Sequence, residues 1–130
     1  MCIRDRTILE DATVPRSRIV ELVEAVNNIA KKYDIMIGTF GHAGDSNLHP
    51  TILTDLRIKE EEKKVDKVIE EIFIETVKLD GTLSGEHGIG LTKARFLKLE
   101  ISDEVYKLMK KIKQTFDPNN ILNPGKMFVD

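Results

Sequence analysis

Apolar residues recur at spacings of three and four in three stretches of the chain, which places them on one face of a helix. The first predicted helix starts at Pro15 and Ser17, because proline fits a first turn and serine can cap free amides. The second spans about Ile58 to Leu79, and Asp80-Gly81 ends it. The predicted inner faces are Ile19, Leu22, Val23, Val26, Ile29, Ala30 and Tyr33 in the first helix and Val65, Val68, Ile69, Ile72, Phe73 and Val77 in the second. Both faces need a sheet or another helix to cover them.

The third predicted helix begins at Ser102, whose hydroxyl can cap the first turn, and it stops at Asp117-Pro118. Asp103 and Glu104 in that turn complement the helix dipole. Its predicted inner face consists of Val105, Leu108, Met109, Ile112 and Phe116. The segment Asn119 to Lys126 is rich in Asn, Pro and Gly, so it is predicted to be a tail of turns.

Three short segments are β-prone: Thr7 to Glu10, Ile35 to Phe40 and Leu48 to Leu53. The residues between the last two, which include Gly41, Gly44, Asp45 and Asn47, are typical of turns and predict an antiparallel hairpin. The stretch from Gly81 to Gly90 holds four glycines and is predicted to be a loop. The predicted fold class is therefore α+β: an antiparallel sheet fragment packed with helices, plus a C-terminal helical segment, forming an incomplete domain.

Composition limits the classes of function. At 130 residues and 41% hydrophobic, the chain can bury one modest core. Lys and Arg number 20 against 22 acidic residues, so the basic excess that nucleic-acid binding needs is missing. There is neither an apolar run long enough for a membrane span nor a signal peptide, and the single Cys2 cannot form an internal disulfide, so we expect a cytoplasmic protein. Residues 1–6 show no periodicity that links them to the first predicted strand and helix, and they are predicted to be a non-native leader.

The three histidines, His42, His49 and His87, all lie in the two glycine-rich loops. A hairpin lets His42 and His49 converge across its turn, and imidazole nitrogens suit Zn²⁺ and similar divalent metals. The best third ligand is Glu86, whose flanking glycines let the backbone approach closely. The spacing alone leaves ordinary alternatives open: His42 as a solvated turn residue, His49 as a histidine bonded to a backbone carbonyl, and Glu86 as a solvated carboxylate.

Three segments together carry a family resemblance. They are GHAGDSNLH at Gly41 to His49, SGEHGIG at Ser84 to Gly90, and DPNNILNPGK at Asp117 to Lys126. In this order they closely resemble the motifs of the FAD-linked oxidase C-terminal domain. That family includes the flavin subunit of glycolate oxidase, D-lactate dehydrogenases and D-2-hydroxyglutarate dehydrogenases. The resemblance covers residues 7–130, the substrate-side or cap domain of such enzymes.

The resemblance implies a site with named roles. His42, His49 and Glu86 would hold a divalent metal, Zn²⁺ or Mn²⁺, and His87 would be the catalytic base. The substrate's α-hydroxyl and carboxylate would fill the open metal positions.

Three further residues are candidates for the site. Asn123 is implied by the resemblance to reach the flavin, although a structural turn is an equal alternative. Thr51 shares a strand face with His49 by the two-residue period, so it is a candidate substrate contact. Asn47 could orient a loop or a ligand, and a plain turn role is equally open.

The activity that the resemblance implies is oxidation of a small D-2-hydroxy acid, of glycolate or D-lactate type, to its 2-oxo acid, with hydride passing to FAD. The family's N-terminal FAD-binding domain, which holds most of the cofactor, has no counterpart here, so the chain is expected to be a fragment that is inactive alone. Iron–sulfur electron-acceptor subunits are further implied partners. Two other classes remain open: a stand-alone metal-binding or interaction module with the same ligands, and a metal-dependent hydrolase with Glu86 or His87 as base.

Overall fold

The computed structural model describes residues 6–55 and 57–128. In chain order the elements are β1 (Arg6–Leu9), β2 (Ala12–Thr13), α1 (Ile19–Lys32), β3 (Met36–His42), β4 (Asn47–Thr54), α2 (Lys59–Lys78), α3 (Leu97–Glu100) and α4 (Asp103–Phe116). Short 3₁₀ turns at Arg16–Arg18 and Ala94–Phe96 precede α1 and α3. The predicted α+β class with an antiparallel sheet is confirmed. The chain forms two compact units, the first ending at His87 and the second beginning at Gly88.

The sheet of the first unit is built around β4. Strand β3 pairs with it along one edge, and β1 and β2 pair with it in succession along the other, all antiparallel. The predicted hairpin is confirmed as β3 and β4, although β3 continues past Phe40 to His42. The two-residue β2 was not predicted, because its pattern is too short to show a period.

One face of the sheet forms the core with α1 and α2. From β4 it contributes Leu48, Pro50, Ile52 and Thr54, which are buried. The helices contribute Leu22, Val26 and Ile29 from α1 and Val65, Val68, Ile69, Ile72 and Phe73 from α2. These lie within the inner faces that the sequence predicts. His42 and His49 lie on the opposite face of the sheet.

The start of α1 differs from the prediction. Ser17 lies inside the 3₁₀ turn, and no side chain caps either the turn or the helix. The Arg18 N–H donates instead to the Pro15 carbonyl at 2.7 Å. A backbone turn therefore takes the place of the predicted serine cap.

The second unit contains α3 and α4. Ser102 caps α4 as predicted, with its hydroxyl accepting from the Val105 N–H at 3.4 Å. The predicted inner face is wrong: Val105, Leu108, Ile112 and Phe116 are 44%, 57%, 51% and 81% exposed. The residue of α4 that is buried is Tyr106. Periodicity identifies an apolar face but not a partner for it, and among the described residues nothing covers this one.

The sequence patterns predict no element in the segment directly before α4. It forms the second 3₁₀ turn and α3, with Ala94, Phe96 and Leu97 buried. The tail after α4 has no regular element within its described residues, as predicted. No described helix is long and apolar enough to cross a membrane. Of the predicted leader, residues 1–5 lie outside the described residues, and Arg6 pairs with Thr54 as the first residue of β1.

Candidate functional site

A four-residue turn, 43–46, joins β3 to β4. The Ser46 N–H donates to the His42 carbonyl oxygen at 2.9 Å, and the Asp45 N–H donates to the same oxygen at 3.3 Å. The Asp45 carboxylate accepts from the Asn47 N–H at 3.3 Å. The turn is therefore closed by its own backbone at the point where the first histidine lies.

Both hairpin histidines lie on one face of the sheet. His42 pairs with Asn47, and residues paired across two strands share a face. Asn47 and His49 are two residues apart on β4, so they also share that face, as does Phe40, which pairs with His49. The His42 and His49 ring centroids are 5.3 Å apart, with the planes nearly perpendicular at 88°. At Gly41, a Cβ atom would lie 2.2 Å from the Asn47 carbonyl oxygen, so the close approach of the two strands here requires glycine.

The second loop, 84–87, packs against the start of β4 and the end of β2. At Gly85, a Cβ atom would lie 2.3 Å from the Thr13 hydroxyl oxygen and 2.7 Å from Cγ of Asn47. Thr13 donates its hydroxyl to the Asn47 side-chain oxygen at 3.1 Å, and Asn47 is buried. The buried side chain of Asn47 therefore lies between Thr13 and the second loop, while its N–H takes part in the hairpin turn.

An aspartate that the sequence patterns did not reveal holds the same loop. Asp11 is fully buried, and its Oδ2 accepts from the Ser84 hydroxyl at 2.7 Å, the Glu86 N–H at 3.1 Å and the His87 N–H at 2.9 Å. The signal that could have found it is local: two consecutive acidic residues, Glu10 and Asp11, end an apolar β-prone segment. A buried carboxylate needs partners, so such a pair indicates a structural or functional role.

The side chain of Glu86 lies among three imidazoles. Its Oε1 is 3.1 Å from Nε2 of His49, 3.6 Å from Nε2 of His42 and 3.7 Å from Nε2 of His87. The potential ligand atoms of His42, His49 and Glu86 all lie within 4.8 Å of one another. His49 is buried, whereas the His42 and Glu86 side chains are 57% and 50% exposed. The cluster can therefore be reached from solvent on one side.

The two ring nitrogens of His49 have separate partners. Nδ1 lies 3.3 Å from the Glu10 carbonyl oxygen, so this nitrogen carries the proton when the imidazole is neutral. Nε2 is the nitrogen that faces Glu86, 3.1 Å from Oε1. The His87 ring stacks on the His49 ring, with centroids 5.1 Å apart and planes 14° apart. Nδ1 of His87 is 4.0 Å from Oδ2 of Asp11, beyond hydrogen-bond distance.

The structure thus brings together four of the predicted site residues: His42, His49, Glu86 and His87. Thr51 lies on the same strand as His49, and its hydroxyl donates to the His49 carbonyl oxygen at 3.3 Å. Asn123 lies in the second unit, in a turn with φ 48°, and its side-chain oxygen accepts from Lys126 Nζ at 2.9 Å.

Comparison with known proteins gives one consistent family. The family model described as FAD linked oxidases, C-terminal domain, matches residues 5–127. Glycolate oxidase subunit GlcD of Bacillus subtilis is 56% identical over 126 residues, which cover 97% of this chain and 27% of that protein. A D-lactate dehydrogenase of Archaeoglobus fulgidus is 42% identical over 117 residues, 90% of this chain and 26% of that protein. The mitochondrial D-lactate dehydrogenase [cytochrome] of Arabidopsis thaliana is 33% identical over 120 residues, 92% of this chain and 21% of that protein. The chain therefore spans about a quarter of the length of these relatives, and it belongs to the FAD-linked oxidase C-terminal domain family.

Proposed function

We propose that this chain is the part of an FAD-dependent 2-hydroxy acid dehydrogenase that holds a divalent metal and the catalytic base. The observation that carries the proposal is the convergence of His42, His49 and His87 on one carboxylate oxygen of Glu86, at 3.1–3.7 Å. Imidazole nitrogens and a carboxylate are the donor set of catalytic zinc sites with open positions.

The residues fit a metal by distance as well as by type. Donor atoms that bind one zinc ion tetrahedrally lie about 3.3 Å from each other, given metal–ligand bonds of about 2 Å. Oε1 of Glu86 lies 3.1 Å and 3.6 Å from Nε2 of His49 and His42. The Glu10 carbonyl orients the His49 ring so that Nε2 is the ligand atom, as outer partners of metal-bound histidines commonly do. Zn²⁺ and Mn²⁺ both suit this nitrogen and oxygen set.

A second trio, Asp11, His49 and His87, also has donor atoms within 4.8 Å of one another. It is the weaker ligand set, because Oδ2 of Asp11 is fully buried and already accepts hydrogen bonds from the Ser84 hydroxyl and two backbone amides. We therefore assign the metal to His42, His49 and Glu86, and leave His87 for proton transfer.

His87 has the exposure that a base needs: its side chain is 36% exposed, whereas that of His49 is 5% exposed. In the proposed reaction, a D-2-hydroxy acid of glycolate or D-lactate type loses its hydroxyl proton to His87 at Nε2. The metal would supply polarisation of the hydroxyl oxygen, and FAD would supply the acceptor for the α-hydrogen, which leaves as hydride. The proton and the hydride account for the two hydrogens lost in forming the 2-oxo acid.

The partners follow from the family and from the second unit. A FAD-linked oxidase C-terminal domain implies an N-terminal FAD-binding domain. The exposed apolar face of α4, formed by Val105, Leu108, Ile112 and Phe116, is a suitable surface for that domain. Asn123 is proposed to contact the flavin, and Thr51 is proposed to contact the substrate. Iron–sulfur subunits are proposed to accept the electrons from the flavin.

The test uses the chain joined to its FAD-binding domain. Without oxygen, glycolate or D-lactate should bleach the flavin absorbance, and His87→Ala should slow bleaching by about 10²- to 10⁴-fold while FAD stays bound. A His87→Ala enzyme that reduced flavin at the normal rate would sink the base assignment. Turnover of a hydrolysable substrate without flavin would favour the hydrolase instead.

The same preparation tests the ligands. Elemental analysis should find less metal per chain in His42→Ala and Glu86→Gln. Glu75→Gln is the matched control, because Glu75 is paired with Lys78 on the surface of α2. Metal content equal to that of the control in both ligand variants contradicts the ligand set.

A further inference from the structure

The junction between β1 and β2 is occupied by two acidic residues, Glu10 and Asp11. Leu9 pairs with Thr51 and Ala12 pairs with Leu48, so in this register Glu10 and Asp11 lie opposite Pro50 and His49. The junction therefore runs directly beside the buried histidine of the site. Both residues are buried, at 6% and 0% exposure.

This junction contacts both loops of the site, each through a different group. The carbonyl of Glu10 is bonded to Nδ1 of His49, in the hairpin. The carboxylate of Asp11 is bonded to the backbone N–H groups of Glu86 and His87, in the second loop. Glu10 and Asp11 together therefore position His49 and the segment that carries Glu86 and His87.

The hydrogen bonds to Asp11 fix the loop backbone rather than its side chains. The Glu86 and His87 N–H groups and the Ser84 hydroxyl all converge on Oδ2, at 2.7–3.1 Å. Two consecutive amides held by one oxygen restrict the backbone on both sides of the Glu86 Cα atom. The direction of the Glu86 side chain and the start of the His87 side chain are thereby fixed. Loss of the carboxylate would leave these amides without a partner in a closely packed loop.

We infer that Asp11 is a positioning residue for the reaction: its carboxylate anchors the 84–87 loop so that His87 stacks on His49 and Glu86 lies between the imidazoles. The inference rests on the proposed function for its catalytic meaning, since His87 acts there as the base. Asp11 itself touches neither substrate nor metal in this scheme. Its effect passes through backbone hydrogen bonds to the two residues that do.

The test compares three substitutions in the enzyme joined to its FAD-binding domain. Asp11→Ala removes the acceptor, and Asp11→Leu removes it while filling the space. Asp11→Asn keeps one oxygen acceptor, and the Ser84 hydroxyl and the two loop amides all donate to a single oxygen. Asp55→Ala is the matched control, because Asp55 also accepts a backbone N–H, that of Arg57 at 3.1 Å, at the end of β4.

Two measurements separate positioning from general support of the fold. Amide hydrogen exchange of the metal-free protein should speed up at least about tenfold at Glu86 and His87 in Asp11→Ala and Asp11→Leu. The kcat for hydroxy acid oxidation should fall about 10- to 100-fold, with KM within about threefold of the unsubstituted value. Asp11→Asn should recover most of both losses, and Asp55→Ala should change neither.

Three results would overturn the inference: a kcat within about threefold of normal in Asp11→Ala or Asp11→Leu, unchanged exchange at residues 86 and 87, or a loss in Asp11→Asn as large as in Asp11→Ala. If neither the alanine nor the leucine variant folds, the asparagine variant decides, since a kcat loss of more than about tenfold there contradicts anchoring by the oxygen acceptor. If the unsubstituted enzyme oxidises no hydroxy acid, the proposed function is contradicted. In that case amide exchange at residues 86 and 87 alone tests whether Asp11 anchors the loop.

Discussion

His49 has a separate contact partner for each of its two ring nitrogens. It is bonded to a backbone carbonyl through Nδ1 and presents Nε2 to Glu86. Imidazole has two nitrogens, so the backbone contact to one selects which nitrogen faces Glu86, and that nitrogen is the ligand atom in the proposed metal site. The residue that makes this selection, Glu10, is 39 positions away in the chain. A local sequence pattern therefore could not reveal the contact between Glu10 and His49.

Ser46 is the strained residue of the hairpin turn. Its φ of 67° lies in the left-handed region, which costs a non-glycine residue about 1–2 kcal/mol. Its hydroxyl is buried and has no hydrogen-bond partner among the described residues. The bonds that close the turn come from its backbone, whose N–H donates to His42, so they do not depend on the side chain.

We predict that Ser46→Gly stabilises the chain by about 1 kcal/mol. Glycine removes both the backbone strain and the unpaired buried hydroxyl. The free energy gained in this way exceeds the entropy cost of a new glycine, about 0.5–1 kcal/mol. Thermal unfolding should show a Tm higher by about 3 °C. Ser46→Ala is the control: it removes the hydroxyl but keeps the left-handed backbone, so its gain should be smaller. A Tm below that of the unsubstituted chain in Ser46→Gly would contradict the strain argument.

At the scale of elements, the sequence predicts the features that depend on neighbours in the chain. The hairpin follows from turn residues between two β-prone segments, and α2 follows from a long apolar period. The anchoring of the second loop does not follow in this way, because Asp11 and Ser84 are 73 positions apart. The loop positions of the histidines and Glu86 make them candidates, and the family motifs add the roles that the resemblance implies. Asp11 lies outside those motifs, and the acidic pair Glu10-Asp11 marks the position without showing which loop it contacts.

The end of α4 has a carboxylate whose pKa is lowered. Asp117 is buried, and its side chain is bonded to Lys113 and to the N–H groups of Ile121 and Leu122, both at 2.9 Å. The hydrogen bond from Lys113, followed by those from the two amides, favours the charged form and lowers the Asp117 pKa. A lowered pKa in the folded state stabilises the fold above the unfolded value of about 4. That stabilisation is lost as pH falls through the folded value.

We predict that Asp117→Asn lowers the Tm at pH 7 and that the difference from the unsubstituted chain shrinks as pH falls through the lowered pKa of Asp117. Circular dichroism of the helical signal, measured during heating across this pH range, would show it. Asp103→Asn is the control in the same helix. Lys98 lowers the pKa of Asp103 as well, but its side chain is 65% exposed, so solvent screening should make its effect smaller. A Tm difference for Asp117→Asn that grew as the pH was lowered from 7 would contradict the linkage.

At the scale of the whole molecule, the two units present different surfaces. In the first, one face of the sheet is covered by α1 and α2, and the opposite face carries the candidate metal cluster of His42, His49 and Glu86. The second presents an apolar helix face that includes Leu108, 57% exposed, and Phe116, 81% exposed. Apolar faces of this kind on a folded domain mark contact surfaces, and the partner proposed above for this face is the FAD-binding domain.

We predict that the chain without that domain self-associates through α4, and that Leu108→Lys weakens this association. Burying one leucine contributes about 1.5–3 kcal/mol, so replacing it with a charge should weaken association by at least about tenfold. Size-exclusion chromatography with light scattering, over a range of concentrations, measures the change. Gln114→Lys is the matched control, since position 114 lies off the stripe formed by residues 105, 108, 112 and 116.

The same Leu108→Lys change should weaken binding of a separately produced FAD-binding domain. If Leu108→Lys and Gln114→Lys behave alike in both measurements, α4 is not the contact surface.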